Sequence, residues 1–151
     1  MNPLPHYATG HVGLNVRDLA RSVRFYQDVF GFELAGRSEE PGREYAFLGQ
    51  HGTLVLTLWP QSDGRAPTDR PGLHHLSFQV ESMDHVRAAE QRVRNAGATI
   101  HHGGIVPHRE GGDSGGLFFE DPDGIRLEIF APSGRAEHPA PHGAAPTCGF
   151  F

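Results

Sequence analysis

Two short segments of the sequence begin with histidine and continue with the same order of residue types. Residues 11–16 (HVGLNV) and residues 75–80 (HLSFQV) both read histidine, apolar, small, apolar, amide, valine. The alternation of apolar and polar residues predicts a strand in each segment, and a strand needs no histidine. Imidazole is the commonest metal-ligating side chain and a frequent acid–base group, so the paired histidines suggest chemistry. The total of 11 histidines gives the same hint of metal chemistry.

The two segments open the halves of an internal repeat. Residues 52–60 (GTLVLTLWP) match residues 124–132 (GIRLEIFAP), with glycine and proline at both ends. A helical pattern follows each opening strand, the first capped by Asp18 and ended by Gly31, the second capped by Ser82 and ended by Gly97. The helix faces carry Leu19, Val23, Tyr26 and Phe30 in the first half and Met83, Val86, Glu90 and Val93 in the second.

Two further short strands fit between the helix and the last strand of each half. They are predicted near residues 34–37 and 44–48, and again near residues 99–101 and 116–120. Each half therefore reads strand, helix, strand, strand, strand, and the fold class is α+β. We predict an N-terminal arm at 1–7, a first module at 8–60, a linker at 61–72, a second module at 73–132 and a flexible C-terminal tail at 133–151.

Alternation along the strands predicts which side chains share a face of the sheet. His11, His75 and Glu128 fall on one side, opposite the apolar residues that should pack on the helices. A merely solvated face would explain them one at a time. The equivalence of the two histidines favours a pocket instead, as do Leu54, Leu56 and Leu58, which are predicted on the same face.

Three motifs give the chain a family resemblance. These are residues 11–34 (HVGLNVRDLARSVRFYQDVFGFEL), 74–80 (HHLSFQV) and 118–132 (FFEDPDGIRLEIFAP). The chain resembles the vicinal oxygen chelate (VOC) superfamily, which includes glyoxalase I, fosfomycin- and bleomycin-resistance proteins, methylmalonyl-CoA epimerase and extradiol dioxygenases. The resemblance implies two βαβββ modules that form an open barrel-like sheet around a metal cleft. It also implies that His11, His75 and Glu128 bind the metal and that His74 faces away.

The resemblance also indicates what the metal site lacks. The position that usually carries a fourth, carboxylate ligand in glyoxalase I falls on Leu56, and leucine cannot bind a metal. Two histidines and one carboxylate leave open positions, which is typical of non-haem Fe(II) oxygenases and compatible with Zn, Mn or Ni. One divalent metal ion is expected, with Fe(II) favoured. Phe118 stands where relatives place a hydrogen-bonding tyrosine.

Several polar and aromatic residues are candidates for work around the metal. Tyr45, His102 and His108 could transfer protons, although loop histidines are often only solvated. The loop of residues 101–116, rich in glycine, is interpreted as a mobile flap or, alternatively, as a plain disordered loop. The predicted substrate-binding residues are Asn15, Tyr45, Leu56, Ser77, Gln79, Phe118 and Arg126, for which ordinary strand polarity is the alternative.

The predicted function is a metal-dependent enzyme acting on a small oxygen-rich molecule. Dioxygenase-like chemistry is placed ahead of glyoxalase-like lyase or isomerase chemistry, because the fourth carboxylate is missing. The competing prediction is an antibiotic-resistance protein that sequesters or modifies a drug in the cleft.

Composition narrows the setting of that function. The net charge of −5 and scattered basic residues give no nucleic-acid footprint, and the lone Cys148 excludes an internal disulfide. No membrane or secretion segment is recognised, so a cytoplasmic protein is expected. A homodimer is expected from the resemblance. Phe150 and Phe151 are hypothesised to dock on the body of this chain or of a partner chain.

Overall fold

A computed structural model describes residues 1–134, 136 and 138–151 of the 151-residue chain. Residues 135 and 137 of the predicted tail lie outside the described residues. The chain divides into two compact units, one formed by residues 1–27 and 31–63 and the other by residues 28–30 and 64–151. In the described part, neither helix has the length and apolar character needed to cross a membrane.

The first unit follows the predicted order of strand, helix and three strands. Its elements are β1 (Val12–Asn15), α1 (Leu19–Phe30), β2 (Glu33–Ser38), β3 (Tyr45–Gln50) and β4 (Thr53–Trp59). The sheet order is β1-β4-β3-β2, with β1 and β4 parallel and the other pairs antiparallel. The last turn of α1 is counted with the second unit.

Helix α1 begins and ends at the predicted residues. The Asp18 carboxylate accepts a hydrogen bond from the Arg21 backbone N–H at 3.0 Å, which satisfies a donor that the first turn leaves open. Gly31 ends the helix with φ of 70°, the left-handed conformation that glycine adopts without steric cost. Val23 and Tyr26 are buried, as the apolar face predicted.

A bulge in β4 shifts the register of the first sheet. Leu48 pairs with Leu56, but the next residue of β3, Gly49, pairs with Leu54, so β4 contains one extra residue. The backbones are close here, because a Cβ on Gly49 would lie 2.5 Å from the Thr53 carbonyl oxygen. The bulge places Leu56 opposite Val12 in the parallel β1–β4 pair.

The second unit repeats the βαβββ order. Its elements are β5 (Leu76–Gln79), α2 (Met83–Asn95), β6 (Val106–Pro107), β7 (Gly115–Glu120) and β8 (Arg126–Ala131), followed by a short 3₁₀ turn (Thr147–Gly149). The sheet order is β5-β8-β7-β6, and β5 pairs with β8 in parallel. The two mixed sheets and two helices confirm the α+β class, and neither four-stranded sheet closes into a barrel.

The strand predicted at residues 99–101 is wrong. Only Ile100 makes an isolated bridge there, to Phe119, while the edge strand β6 forms inside the loop expected to be irregular. His102, Gly103 and Gly104 all have positive φ, so the chain turns before it can extend along β7. An edge strand tolerates Pro107, which has no N–H to donate.

Helix α2 differs from its prediction in two details. Ser82 occupies the N-cap position but makes no capping hydrogen bond, because its hydroxyl lies 2.9 Å from His85 Nδ1 instead. The buried face contains Ala89 rather than Glu90. Glu90 instead accepts a hydrogen bond from the Arg94 guanidinium at 2.7 Å, a pairing that four-residue spacing on a helix allows.

Candidate metal centre

The Asp-Pro-Asp-Gly turn sets the start of β8 and therefore the position of Glu128. Asp121 Oδ1 accepts hydrogen bonds from the backbone N–H groups of Asp123 at 2.8 Å and Ile125 at 2.9 Å. Gly124 has φ of 80°, which completes the turn. Two residues into β8, Glu128 is 3% exposed. A carboxylate this deeply buried requires compensating partners.

His75 is the first of those partners. It directly precedes β5, and its Nε2 lies 3.6 Å from Glu128 Oε2. Its other ring nitrogen, Nδ1, lies 2.8 Å from Nδ1 of the exposed His74. His74 therefore contacts Nδ1 of His75, the ring nitrogen that is not directed to Glu128. Nε2 is the nitrogen directed to the carboxylate. A ligating histidine is commonly held through its second nitrogen in this way.

His108 is the second partner of Glu128. Its Nε2 lies 2.5 Å from Glu128 Oε1, and its Nδ1 lies 2.7 Å from Ser114 Oγ. The histidine thus bridges a serine hydroxyl and the buried carboxylate, each through a different ring nitrogen. His108 directly follows β6, and its backbone N–H donates to the Ser114 carbonyl at 3.1 Å, which holds this part of the loop beside the start of β7.

Cys148 joins the same group, and sequence reasoning missed it. Among the described residues, one cluster of three potential ligands has its donor atoms all within 4.8 Å of one another: His75, Glu128 and Cys148. The 3₁₀ turn of residues 147–149 brings the cysteine there. The only sequence signal was a lone cysteine next to the two terminal phenylalanines, and that signal carries no distance information.

The terminal Phe151 also contacts this cluster. Its ring centroid lies 5.5 Å from that of His75 and 5.3 Å from that of Phe118, and the Arg126 guanidinium carbon lies 5.4 Å from its centre. The docking hypothesised for the two terminal phenylalanines is therefore present within the second unit for Phe151, whereas Phe150 is exposed and packs on His142 of the tail. Aromatic and cation–π contacts of this kind favour a fixed ring position.

Burial changes the titration of the cluster. Desolvation lowers the pKa of His75, as do His74 and Arg126, although Glu128 opposes the shift. A lowered pKa favours the neutral imidazole, the form that binds a metal. Desolvation, and next the charge of Glu128, raise the pKa of the Cys148 thiol. The cysteine is therefore a thiol until a cation or a base stabilises the thiolate.

His11 belongs to the first unit, whereas His75 and Glu128 belong to the second. It is exposed and directly precedes β1, as His75 directly precedes β5. The repeat therefore places the two histidines at equivalent points of their modules. The ligand set of His11, His75 and Glu128 remains a prediction for which the structure supplies the His75–Glu128 pair.

Strand pairing moves the first-module counterpart of Glu128 away from Leu56. Glu128 pairs with Ser77, the second residue of β5, whereas the second residue of β1, Gly13, pairs with Thr57. The β4 bulge causes this difference of one residue. Leu56 is instead fully buried on the face of Val12, because paired residues project to the same side of a sheet. The placement of Leu56 at the first-module position equivalent to Glu128 is thus wrong. Thr57 occupies that position, and its Oγ1 accepts a hydrogen bond from the Trp59 indole.

Two other candidates lie in the first unit. Asn15 is held by the backbone of Gln61, donating to its carbonyl at 3.1 Å and accepting from its N–H at 2.8 Å. Tyr45 packs on Phe47 and Trp59, with centroid distances of 4.7 and 5.9 Å. These aromatic rings line a groove of about 640 Å³ in the first unit.

The remaining candidates lie in the second unit. Phe118 is fully buried, pairs with Glu128 across the sheet and contacts the rings of His102 and His108. Burial lowers the pKa of His102, and neighbouring His101 and His142 add to the shift. Exposed Ser77 and Gln79 pair with Glu128 and Phe130 across the β5–β8 ladder.

The donor set of the second unit fits a divalent metal ion. It offers an imidazole nitrogen, a buried carboxylate oxygen and a thiol sulfur, the three donor types found at zinc sites. Donors a little over 2 Å from one ion lie about 3–4 Å from each other, and the observed separations would need only small side-chain shifts to reach that range.

Comparison with known proteins gives the chain its relatives. The family model of the glyoxalase/bleomycin resistance protein/dioxygenase superfamily matches residues 8–129. Glyoxylase I 4 of Arabidopsis thaliana is 34% identical over 133 residues, covering 85% of this chain and 72% of that protein. Lactoylglutathione lyase of Haemophilus influenzae is 35% identical over 123 residues, covering 79% of this chain and 88% of that protein. Catechol-2,3-dioxygenase of Bacillus subtilis is 27% identical, covering 81% of this chain and 40% of that protein.

Solved structures show the same fold. A glyoxylase/bleomycin resistance protein/dioxygenase domain from Frankia sp. EAN1pec superposes with a TM-score of 0.70 at 31% identity, covering 89% of this chain and 96% of that one. The fosfomycin resistance protein FosX of Listeria monocytogenes, in its complex with Mn(II) and sulfate, has a TM-score of 0.62 at 18% identity and covers 84% and 93%. At that identity the likeness to FosX concerns the fold alone.

Proposed function

Because the chain belongs to the glyoxalase/bleomycin resistance protein/dioxygenase superfamily, we propose that it is a divalent-metal-dependent enzyme acting on a small oxygen-rich molecule. His11, His75 and Glu128 are the proposed ligands. Metal binding is typical of the superfamily. When bound, the metal would polarise a carbonyl of the substrate or stabilise an enolate.

The observation that carries the proposal is the shared carboxylate. Glu128 directs Oε2 to His75, at 3.6 Å, and Oε1 to His108, at 2.5 Å. His75 can therefore act with Glu128 as a ligand pair, while His108 fixes the orientation of the carboxylate. A buried carboxylate and a histidine in such short contact can also hold one proton between them.

We propose glyoxalase-like lyase or isomerase chemistry as the reaction type. Such a reaction moves a proton on carbon next to a carbonyl, and the Glu128–His108 couple can take that proton and return it. A carboxylate oxygen accepts, so His108 would keep its proton on Nε2, and the Ser114 hydroxyl, which can donate or accept, would donate to Nδ1. The lyase of Haemophilus influenzae is 35% identical and 88% of its length is covered, whereas the dioxygenase of Bacillus subtilis is 27% identical and 40% of its length is covered. The comparison therefore supports lyase chemistry over dioxygenase chemistry.

The residues around the couple suit a partly apolar substrate with an acidic group. Phe118 pairs with Glu128 across the sheet and packs on Phe151, so the two rings give the cluster an apolar side. Arg126 can pair with an anionic group at the edge of the cluster. We also propose that Ser77, on the Glu128 side of the β5–β8 ladder, contacts substrate. Asn15, Tyr45 and Gln79 are kept as further proposed substrate contacts.

The test combines metal analysis with two assays. The protein, purified under anaerobic conditions, is analysed for bound metal and assayed for lactoylglutathione formation from methylglyoxal and glutathione. Oxygen uptake on catechol is measured in parallel. We expect one metal ion per chain, with lyase activity that Glu128→Gln abolishes and the matched exposed control Glu81→Gln leaves intact. A protein that binds no metal in 1:1 ratio would overturn the proposal.

Dioxygenase chemistry is the second candidate, and it rests on the missing fourth carboxylate. Thr57 stands at the first-module position equivalent to Glu128, so two histidines and one carboxylate leave coordination positions open for oxygen and substrate. Bound iron with oxygen uptake on catechol would favour this candidate. Zn, Mn or Ni without oxygen uptake would favour the lyase.

The fold shared with FosX motivates one further assay. Fosfomycin is added to the panel, because a chain that binds or modifies the drug without lyase or dioxygenase activity would be a resistance protein. We further propose a homodimer and a cytoplasmic location, the former open to test by light scattering of the purified protein.

A further inference from the structure

The C-terminal segment places a sulfur donor beside the proposed metal ligands. Cys148 Sγ, a nitrogen of His75 and an oxygen of Glu128 all lie within 4.8 Å of one another. Glu128 is 3% exposed and His75 and Cys148 are half-buried, so none of the three donors belongs to an exposed surface residue. Nitrogen, oxygen and sulfur donors this close could bind one ion with side-chain shifts alone.

Thr147 fixes the backbone just before the cysteine. It is fully buried, and its hydroxyl donates to the carbonyls of Pro107 at 2.7 Å and His108 at 3.0 Å. Its backbone N–H also donates to the His108 carbonyl, at 2.8 Å. The segment is therefore joined to the residue that orients Glu128, so the donors and their supports form one connected structure.

Phe151 fixes the segment on the other side of the cysteine. Its ring packs against His75, His101 and Phe118, with centroid distances of 5.5, 5.3 and 5.3 Å. The side chain between two anchors has little freedom to leave the cluster. Phe151, which packs on the His75 ring, and Cys148, whose sulfur lies near Glu128, thus belong to the same segment of residues 147–151.

We propose that Cys148 is a further protein ligand of the metal, supplied by the C-terminal segment and selecting Zn(II) over Mn(II). This inference rests on the proposed function, because it assumes His75 and Glu128 as ligands. Binding breaks the S–H bond, releases the proton to solvent and forms a metal–thiolate bond, with no change of oxidation state. Thiolates prefer zinc, whereas Mn(II) prefers oxygen donors, so the cysteine would set metal preference.

The test uses Co(II) as a spectroscopic substitute for Zn(II) in the full chain, with a phosphine reductant present. A thiolate bound to Co(II) gives an intense near-ultraviolet charge-transfer absorption, which imidazole and carboxylate ligands do not. We expect this absorption in the wild-type protein and its loss in Cys148→Ser and Cys148→Ala. Zn(II) affinity, measured by competition with a chelator, should fall at least about ten-fold in Cys148→Ala, while Mn(II) affinity should not change.

The outcomes separate this inference from the proposed function. A 1:1 Co(II) complex that His75→Ala and Glu128→Gln abolish, but that lacks charge-transfer absorption, would overturn the role of Cys148 and leave the metal enzyme standing. Unchanged Zn(II) affinity in Cys148→Ala would do the same. Absence of any 1:1 metal binding would overturn both. Circular dichroism of each variant checks that its fold is retained.

Discussion

The Nε2 atom of His108 lies 2.5 Å from Oε1 of Glu128, and the other oxygen of the same carboxylate faces His75 at 3.6 Å. One buried carboxylate thus joins a histidine from the β6–β7 loop to a histidine that precedes β5. The three residues come from separate stretches of the second module. Their meeting depends on the β6–β7–β8 pairing, which brings the loop over the strand that carries Glu128.

Replacing His108 should weaken metal binding. The His108→Gln variant loses the ring that holds Glu128 Oε1, so the carboxylate is no longer fixed for coordination. Loss of such an orienting partner typically costs about 10–100-fold in metal affinity, and we expect a reduction in that range. Chelator-competition titration with Zn(II) measures it. The control is His85→Gln, because His85 is an exposed residue of α2 whose ring is hydrogen-bonded to Ser82 rather than to Glu128. Equal affinities in both variants would contradict the orienting role.

Replacing Thr147 should lower the stability of the second module. Thr147→Val keeps the shape of the side chain but removes the hydroxyl that donates to the carbonyls of Pro107 and His108. The His108 carbonyl keeps the hydrogen bond from the Thr147 backbone N–H, but the Pro107 carbonyl loses the hydroxyl donor. Loss of a donor to a buried acceptor costs about 1–3 kcal/mol in the free energy of unfolding. Urea denaturation of the metal-free protein measures the change. Thr68→Val, at an exposed position of the linker, is the matched control; a loss of the same size there would argue against the buried hydrogen bonds as the cause.

A side chain at Gly49 should also destabilise the fold. In Gly49→Ala the new Cβ would lie 2.5 Å from the Thr53 carbonyl oxygen, a backbone atom that cannot move independently of β4. Overpacking of this kind costs about 1–3 kcal/mol. Gly36→Ala is the control, because its Cβ would meet the Phe47 ring at an ordinary 3.6 Å. The expectation fails if both variants unfold at the same urea concentration.

His102 should make the protein less stable in mild acid. Burial lowers its pKa below the ordinary 6.5. Above that pH the ring is neutral in both states and contributes nothing. As the pH falls through 6.5, the unfolded chain takes up a proton before the folded chain does, so the free energy of unfolding decreases. The loss is complete below the lowered folded pKa.

The measurement is the difference in urea stability between about pH 7.5 and about pH 5.5, across the range in which histidine titrates. His102→Asn should reduce that difference, and asparagine tolerates the φ of 58° at this position. His138→Asn, at an exposed position of the tail, should leave it as in the wild type. A pH dependence identical in all three proteins would exclude His102 as a contributor.

Most of the fold could be predicted from the internal repeat. The alternation in residues 11–16 and 75–80 located β1 and β5, and the residues that cap α1 are those that its sequence suggested. Local patterns of this kind are set by side-chain periodicity and by the unsatisfied groups at helix ends, both readable without tertiary structure. The edge strand at Val106–Pro107 was not predicted, because two residues are too few to show an alternation of apolar and polar side chains.

The site was predicted less completely, for reasons of distance. His75 and Glu128 were named through the resemblance, and the structure supplies their proximity. His108 was one of several candidate loop histidines, and only the pairing of β6 with β7 distinguishes it from the others. Cys148 lies 20 residues after Glu128, in a segment whose composition suggested no defined structure, so no local pattern could connect it to the cluster.

The bulge in β4 affects how site residues are transferred between the two halves. An ungapped overlay of residues 52–60 on 124–132 matches the glycines that precede the two strands, but beyond the bulge it is displaced by one residue. It therefore assigns the wrong first-module partner to Glu128, and Trp59 is equivalent to Phe130. Anyone mapping function onto the first module should therefore insert a one-residue gap after the bulge. Mutagenesis aimed at the symmetry mate of Glu128 should target a hydroxyl, because a probe placed at Leu56 would report only on hydrophobic packing.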